Sequence, residues 1–213
     1  MGTSNHRVTI WSEFTDLLFP KRCFGCAQLG RTLCALCIAQ FSFQPVLRKI
    51  DGLKIFSASY FAPVSRKILL RAKEDGIKSA DLLVTQALRF SLTHAISDRK
   101  VLLQAIPSQP NKIRLRGRSF VVSLVKEIGN TEVKQIQLLE FQRRVFDQSE
   151  LSAQERSKNM AGALCVKAKK FPISEEIFLV DDVVTTGATL LEARRALTAA
   201  GFTVAGAITA FSA

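Results

Sequence analysis

Apolar residues recur along the chain at two periods, and the alternation between them predicts the elements. Residues 177–180, Ile-Phe-Leu-Val, form a continuous apolar run of the kind that fills a strand buried on both faces. Residues 101–106 repeat that signature and are closed by Pro107 and Pro110, and residues 53–61 and 203–211 read as two further strands. Elsewhere the period lengthens to that of a helix. After Pro63, the residues Val64, Ile68, Leu69 and Ala72 fall on one face and leave Arg66, Lys67, Arg71 and Lys73 largely outside it. Residues 80–96 read as a helix with Leu82, Leu83, Leu88 and Leu92 inward, residues 119–128 as one ending at Gly129, and residues 190–200 as one closed by Gly201. Over residues 8–19, Ile10, Phe14, Leu17 and Leu18 make an apolar stripe that Pro20 ends. Strands alternating with helices predict an α/β fold, a mostly parallel sheet flanked by helices.

Two acids, Asp181 and Asp182, sit where the 177–180 strand is expected to end, and Thr-Thr-Gly-Ala-Thr then leads into a helical pattern. In an open α/β sheet, ligands lie beyond the carboxyl ends of the strands, which places both carboxylates at a binding crevice. The following loop suits a phosphate. Gly187 lets the backbone come close, Thr185, Thr186 and Thr189 bring hydroxyls, and the first amides of the next helix point at an anion. Paired carboxylates repel a phosphate, so they must meet something else. Vicinal ribose hydroxyls, with or without Mg²⁺, fit two adjacent acceptors. The alternative is a nucleotide- or receiver-type acidic pair after a strand; its Walker B form would need a Gly-x4-Gly-Lys-Ser/Thr partner, and none occurs in the chain.

The apolar run, Asp-Asp, two apolar residues and Thr-Thr-Gly-x-Thr resemble the phosphoribosyl pyrophosphate (PRPP) motif of the type I phosphoribosyltransferases. The resemblance implies that Asp181 and Asp182 contact the ribose hydroxyls. It also implies that the loop continuing through Val183, Val184, Thr185, Thr186, Gly187, Ala188 and Thr189 holds the 5′-phosphate. Lys73, in Lys73-Glu74-Asp75-Gly76, occupies the kind of position where that family binds pyrophosphate.

The chain has 213 residues, 47% of them hydrophobic, enough for one full core with a small appendage. No run reaches the length of a membrane span, and no apolar stretch follows the N-terminal charge as in a secretory signal, so a cytoplasmic location is expected. Under that expectation Cys23, Cys26, Cys34 and Cys37 read as two knuckles of a closed structural zinc site, with two disulfides as the alternative. Cys165 lies in an apolar run and reads as plain core. The division expected is residues 1–50, an N-terminal helix with the four-cysteine module, and residues 51–213, a phosphoribosyltransferase-like domain.

A formal charge of +12 favours a polyanionic partner, or serves solubility alone. The charge concentrates between Asp98 and Glu127, where no acid occurs and Arg99, Lys100, Lys112, Arg114, Arg116 and Arg118 accumulate. Gly117 among these arginines suits a mobile loop that folds over a bound phosphate or grips a nucleic-acid backbone. A solvated charge run is the other reading.

The order of the cysteine knuckles, the segment from Tyr60 to Gly76, Ile106-Pro107, Arg114-x-Arg116-Gly117, Gln148-x2-Leu151-Ser152-x3-Arg156-x2-Asn159-x2-Gly162 and the PRPP loop is similar to the ComF family of competence-associated proteins. Gln148, Arg156 and Asn159 fall at positions that recur there, and Ser152 with Glu155 also has the spacing of a helix capping box. Two departures stand out. Arg118-Ser119-Phe120 replaces the usual Phe-Asn-Gln after Arg-Gly, and Phe61-Ala62-Pro63 replaces the Gly expected after Tyr60. The resemblance implies a place in DNA uptake, with single-stranded DNA and other uptake proteins as partners and Lys112, Arg114, Arg116 and Arg118 as the anion-binding surface. The other reading is an active phosphoribosyltransferase with a nucleobase or amine acceptor. There Mg²⁺ shields the pyrophosphate, and Asp181 and Asp182 steady an oxocarbenium-like ribose by orientation and charge.

Overall fold

The apolar run at residues 177–180 lies in the middle of a strand, β7 (Glu176–Val184), of a six-stranded sheet. The computed structural model describes residues 20–96, 99–129, 133–146, 151–167 and 175–213. The stripe expected over residues 8–19 and Gln148 lie outside them. The other strands of the sheet are β1 (Val46–Ile50), β2 (Leu53–Tyr60), β3 (Val101–Ala105), β4 (Val133–Ile136) and β8 (Val204–Ser212), in the order β1-β2-β8-β7-β3-β4. Every neighbouring pair is parallel except β1 with β2, so the expected mostly parallel sheet is what forms.

Side chains on β7 alternate between two cores because the strand is covered on both faces. Phe178 and Val180 enter the core that holds α2 (Pro63–Lys73), α3 (Lys78–Ile96) and α5 (Phe120–Ile128). Ile177, Leu179 and Val184 enter the opposite core, beneath α7 (Ala188–Ala199). Each such apolar side chain contributes about 1.5–3 kcal/mol when fully buried. Over α7 stands a two-stranded antiparallel ladder, β5 (Leu139–Phe141) with β6 (Leu164–Val166), joined through α6 (Ala153–Met160). Ser152 and Glu155 form the expected capping box on α6.

Three elements differ from the sequence reading. The loop expected at the arginine-rich interval is a helix, α4 (Pro110–Arg116), with Pro at its start and Gly117 in the left-handed conformation at its end. Leu82, expected inward on α3, is 61% exposed, while Val84 and Leu88 are fully buried. The acids at 181 and 182 lie within β7, not at its end, because nine-residue β8 pairs with β7 as far as Val184 opposite Ser212.

On the other side of β7 the sheet does stop. β3 ends at Ala105 opposite Val180, and the Ile106 amide donates to the Val180 carbonyl at 2.8 Å. The chain then leaves β3 for α5 on one face and leaves β7 for α7 on the other. Departures in opposite directions open a crevice at the carboxyl ends of these two strands, and the acid pair lies there.

Candidate functional site

Asp181 and Asp182 are adjacent on the strand, and the Asp182 amide donates to Asp181 Oδ1 at 2.9 Å, so the two carboxyls stay close enough to interact. Asp182, 6% exposed, shares the side of Val180 and meets the Nζ of Lys73 at the end of α2 in an ion pair. Burial alone would lower the Lys73 pKa, but the Asp182 carboxylate outweighs it and the amine is held above its ordinary value. Among the described residues Asp181 makes no ion pair, although the charge of Lys73 acts on it. Burial first, then the charge of Asp182, raises its pKa to about 8. The pair therefore sets two carboxyls against one ion-paired lysine.

The loop after β7 is shaped at Gly187, whose φ of 78° is left-handed and whose place a Cβ would fill 2.8 Å from Ile50 Cδ1. The turn delivers the chain into α7, whose first amides have no partner within the helix. The Ala188 amide bonds weakly to Thr186 Oγ1 at 3.4 Å. Arg156 on α6 reaches across and donates to Thr185 Oγ1 at 3.2 Å. This places a guanidinium at a loop already suited to an anion.

Beside the acids lies a cleft of about 230 Å³ whose walls include Lys73, Lys112, Arg116, Asp181, Thr189 and Phe141. Of the four bases singled out in the sequence, Lys112 and Arg116 thus share one cleft with Lys73, Asp181 and the end of the loop. Arg116 is only 11% exposed and is held by Glu74 through two bonds of 2.6 and 2.9 Å. Arg114 instead lines a neighbouring cavity. Arg118 turns away from both. It grips Asp81 bidentately at 2.6 and 2.7 Å, donates to the Ala72 carbonyl at 2.7 Å and lies over the Phe120 ring at 5.1 Å. The interval without acids in the sequence is thus supplied with them in space, by Glu74 and Asp81.

Two recurrent positions acquire contacts that sequence reasoning had not assigned. Asn159 exchanges both of its amide groups with the backbone of Phe146, at 3.0 Å each, and so fixes the chain after β5 against α6. Arg156 is the one that touches the loop. Their spacing on one short helix behind a capping box was the available signal, since it fixes both side chains on a helix start.

The four-cysteine module is built from local backbone. Its first knuckle closes through Cys23 N–H to the Gln28 carbonyl and Ala27 N–H to the Cys23 carbonyl, both 2.8 Å. Its second begins at Cys34, the N-cap of α1 (Ala35–Gln40), which carries Cys37. The sulfurs of Cys23, Cys26, Cys34 and Cys37 all lie within 4.8 Å of one another, with Cys26 and Cys34 3.6 Å apart. Bonds of about 2.3 Å to a central zinc put tetrahedral sulfurs about 3.8 Å apart, so the cluster is a metal site in form and consistent with zinc. Burial pushes the Cys23 thiol up, but backbone amides led by Cys34 bring it down to about 6, whereas burial and the neighbouring sulfurs push Cys37 up to about 12. Four thiolates at this spacing need a cation among them. Gly25 sits between the knuckles where a Cβ would stand 2.4 Å from Cys37 Sγ. Cys165, on β6, is partly exposed and apart from the cluster.

No helix among the described residues is long and apolar enough to cross a membrane. No family model matches the sequence, and no curated protein matches it. Several solved structures are similar at a distance, three of which follow. Orotate phosphoribosyltransferase from Aeropyrum pernix aligns over 82% of this chain and 77% of its own at 13% identity, with a TM-score of 0.37. Adenine phosphoribosyltransferase from Leishmania tarentolae aligns over 78% and 94% at 12% identity, with a TM-score of 0.39. A hypoxanthine phosphoribosyltransferase from Staphylococcus aureus aligns over 81% and 69% at 11% identity, with a TM-score of 0.30.

Proposed function

We propose that this chain binds PRPP at the crevice between β3 and β7 and belongs to the phosphoribosyltransferase type. One observation carries the reading: Asp181 and Asp182 lie between an anion-seeking loop on one side and Lys73, Arg116 and Lys112 on the other. That order of charges matches a molecule with a diol in its middle and phosphates at both ends. The loop with Arg156 takes the 5′-phosphate, the two carboxylates accept hydrogen bonds from the ribose hydroxyls, and the three cations face the pyrophosphate. Lys73 turns from Asp182 to the incoming pyrophosphate.

Mg²⁺ fits beside an acid pair that has one lysine for two carboxyls, and supplies neutralising charge to the pyrophosphate. In transfer, the bond from ribose C1 to pyrophosphate breaks, pyrophosphate leaves with the electron pair, and a nitrogen of the acceptor bonds to C1. The chain's part is to orient the ribose and hold charge where it develops. Cys23, Cys26, Cys34 and Cys37 hold a structural zinc that leaves no open position for chemistry.

Titration calorimetry with Mg²⁺ and PRPP tests the reading. The Asp181→Asn/Asp182→Asn double variant is expected to lose about 2–4 kcal/mol of binding free energy as charge-assisted bonds go. Equal affinity in the two proteins would place the pocket elsewhere.

The union of a four-cysteine module with this loop in one chain supports a ComF-like place in DNA uptake, with transfer to a nucleobase or amine as the other reading. Single-stranded oligonucleotide is expected to bind weakly, with a slope in log affinity against log salt of about −0.7 for each phosphate neutralised. Fluorescence anisotropy at several salt concentrations measures it. Absence of binding even at low salt removes direct DNA contact from the proposal.

A further inference from the structure

The cleft does not end at the acids. Gln109 and Phe141 form a common wall between it and a second cavity of about 400 Å³, a size suited to a small organic ligand. Three guanidinium groups, those of Arg114, Arg143 and Arg144, line this second cavity, and no acid does. Arg143 is fixed in place by carbonyls at the end of α6, donating to Asn159 at 2.8 Å and to Ala161 at 2.7 Å. Those acceptors hold the group without cancelling its charge. The guanidiniums of Arg114 and Arg144 have no hydrogen-bond or ion-pair partner among the described residues. Elsewhere on the same segments the arginines are matched, Arg116 by Glu74 and Arg118 by Asp81. Charge without a matching acid thus faces this concavity, whose remaining wall combines the apolar Phe141, Pro110 and Val145 with the polar Gln109, Asn111 and Gln142.

From this arrangement we infer that the second cavity is the acceptor subsite, and that it takes a flat unsaturated ring carrying a carboxylate or a phosphate. The assignment rests on the PRPP reading above, since a shared wall with the PRPP cleft is what makes the cavity an acceptor site. The planar guanidinium matches either anion with paired donors, and a ring face stacks on Phe141. A neutral ring of the same shape leaves two guanidiniums unanswered. An extended strand of nucleic acid fits the concavity less well than a single ring.

The test uses the full chain saturated with PRPP and Mg²⁺, with benzoate and phenyl phosphate as anionic probes and benzamide as the neutral isostere. Calorimetry is expected to show at least one anionic probe binding at least tenfold more tightly than benzamide. Arg114→Gln/Arg144→Gln is expected to abolish that preference while keeping PRPP affinity within twofold. Both side chains lie outside the cores, and the single variants Arg114→Gln and Arg144→Gln, each expected to lose part of the preference, replace the double variant if it fails to fold. The comparison of benzoate with phenyl phosphate separates carboxylate from phosphate as the source of the charge. Equal binding of benzamide and both anions, or an unchanged preference in the variants, overturns the inference. So does a single-stranded oligonucleotide that loses affinity in the variants while neither small anion binds. If PRPP itself does not bind, the function proposed above fails, and the same titrations without PRPP still decide whether the cavity selects anionic rings.

Discussion

The two charged clusters of this protein are built in opposite ways. In the four-cysteine module every ligand comes from one short stretch of chain, Cys23 to Cys37. In the crevice Asp182 meets Lys73 across 109 positions and Arg156 meets Thr185 across 29. The first is organised by local backbone around a space shaped for a cation. The second is set on the end of a large sheet. A cluster of the first kind stabilises its surroundings when its ligand is present, and one of the second kind holds like charges together at a cost that the fold carries.

The sharpest way to break the comparison is at the thiols. Cys37→Ser is expected to release the metal, removing a contribution on the order of 10 kcal/mol to ordering the module. Metal analysis under reducing conditions and limited proteolysis read this out. Full metal retention in the variant would show that the cluster is not a four-ligand site.

Next come the arginines of one interval. Arg118→Ala leaves Asp81, whose side chain is 16% exposed, without its bidentate partner, and is expected to cost about 2–3 kcal/mol. Arg114→Ala, at an exposed side chain with no acid partner among the described residues, is expected to stay within about 0.5 kcal/mol. Urea midpoints of the two variants compare them directly. Equal midpoints would mean that the Arg118 grip contributes nothing.

The effect at Asp181 depends on pH. Its pKa in the folded protein, about 8, lies above its ordinary value of 3.8, so the folded state keeps a proton that the unfolded chain has released. Stability from this group is full below the ordinary value and is lost as pH rises towards 8. Asp181→Asn is therefore expected to raise the melting temperature in metal-free buffer, more at pH 8 than at pH 5. A variant equally stable to wild type at both pH values would show that the carboxyl is not strained.

The same contrast explains what the sequence discloses. The strands at 177–180 and 101–106, the flanking helices and the cysteine cluster follow from composition within a few residues. β1 was not anticipated, although Asp51-Gly52 is a hairpin signal and both residues adopt the positive φ that such a turn requires. β4, β5 and β6 are three or four residues long, too short to show a period. α4 hid behind its charge, though Pro110 and Gly117 mark a helix start and stop. Lys73 and Arg116 were picked out as cations, but their acids Asp182 and Glu74 are set by packing, which no spacing encodes. The expected boundary at residue 50 is a matter of sequence pattern alone, and in space Cys23, Leu33, Cys37 and Phe41 share a core with α2 and α3.

The helix α2 touches both clusters. Near its start, Val64 lies under Gly25 of the first knuckle and Lys67 donates to the Gly25 carbonyl at 2.6 Å. At its end stands Lys73, paired with Asp182. Eleven helical residues make a rod of about 16 Å, stiff enough to carry a displacement from one end to the other. Oxidation of the thiols is expected to disturb the footing of that rod. The oxidation state of a sample is then a variable in any affinity measured at the far end, and a preparation handled without reductant reports on a different molecule.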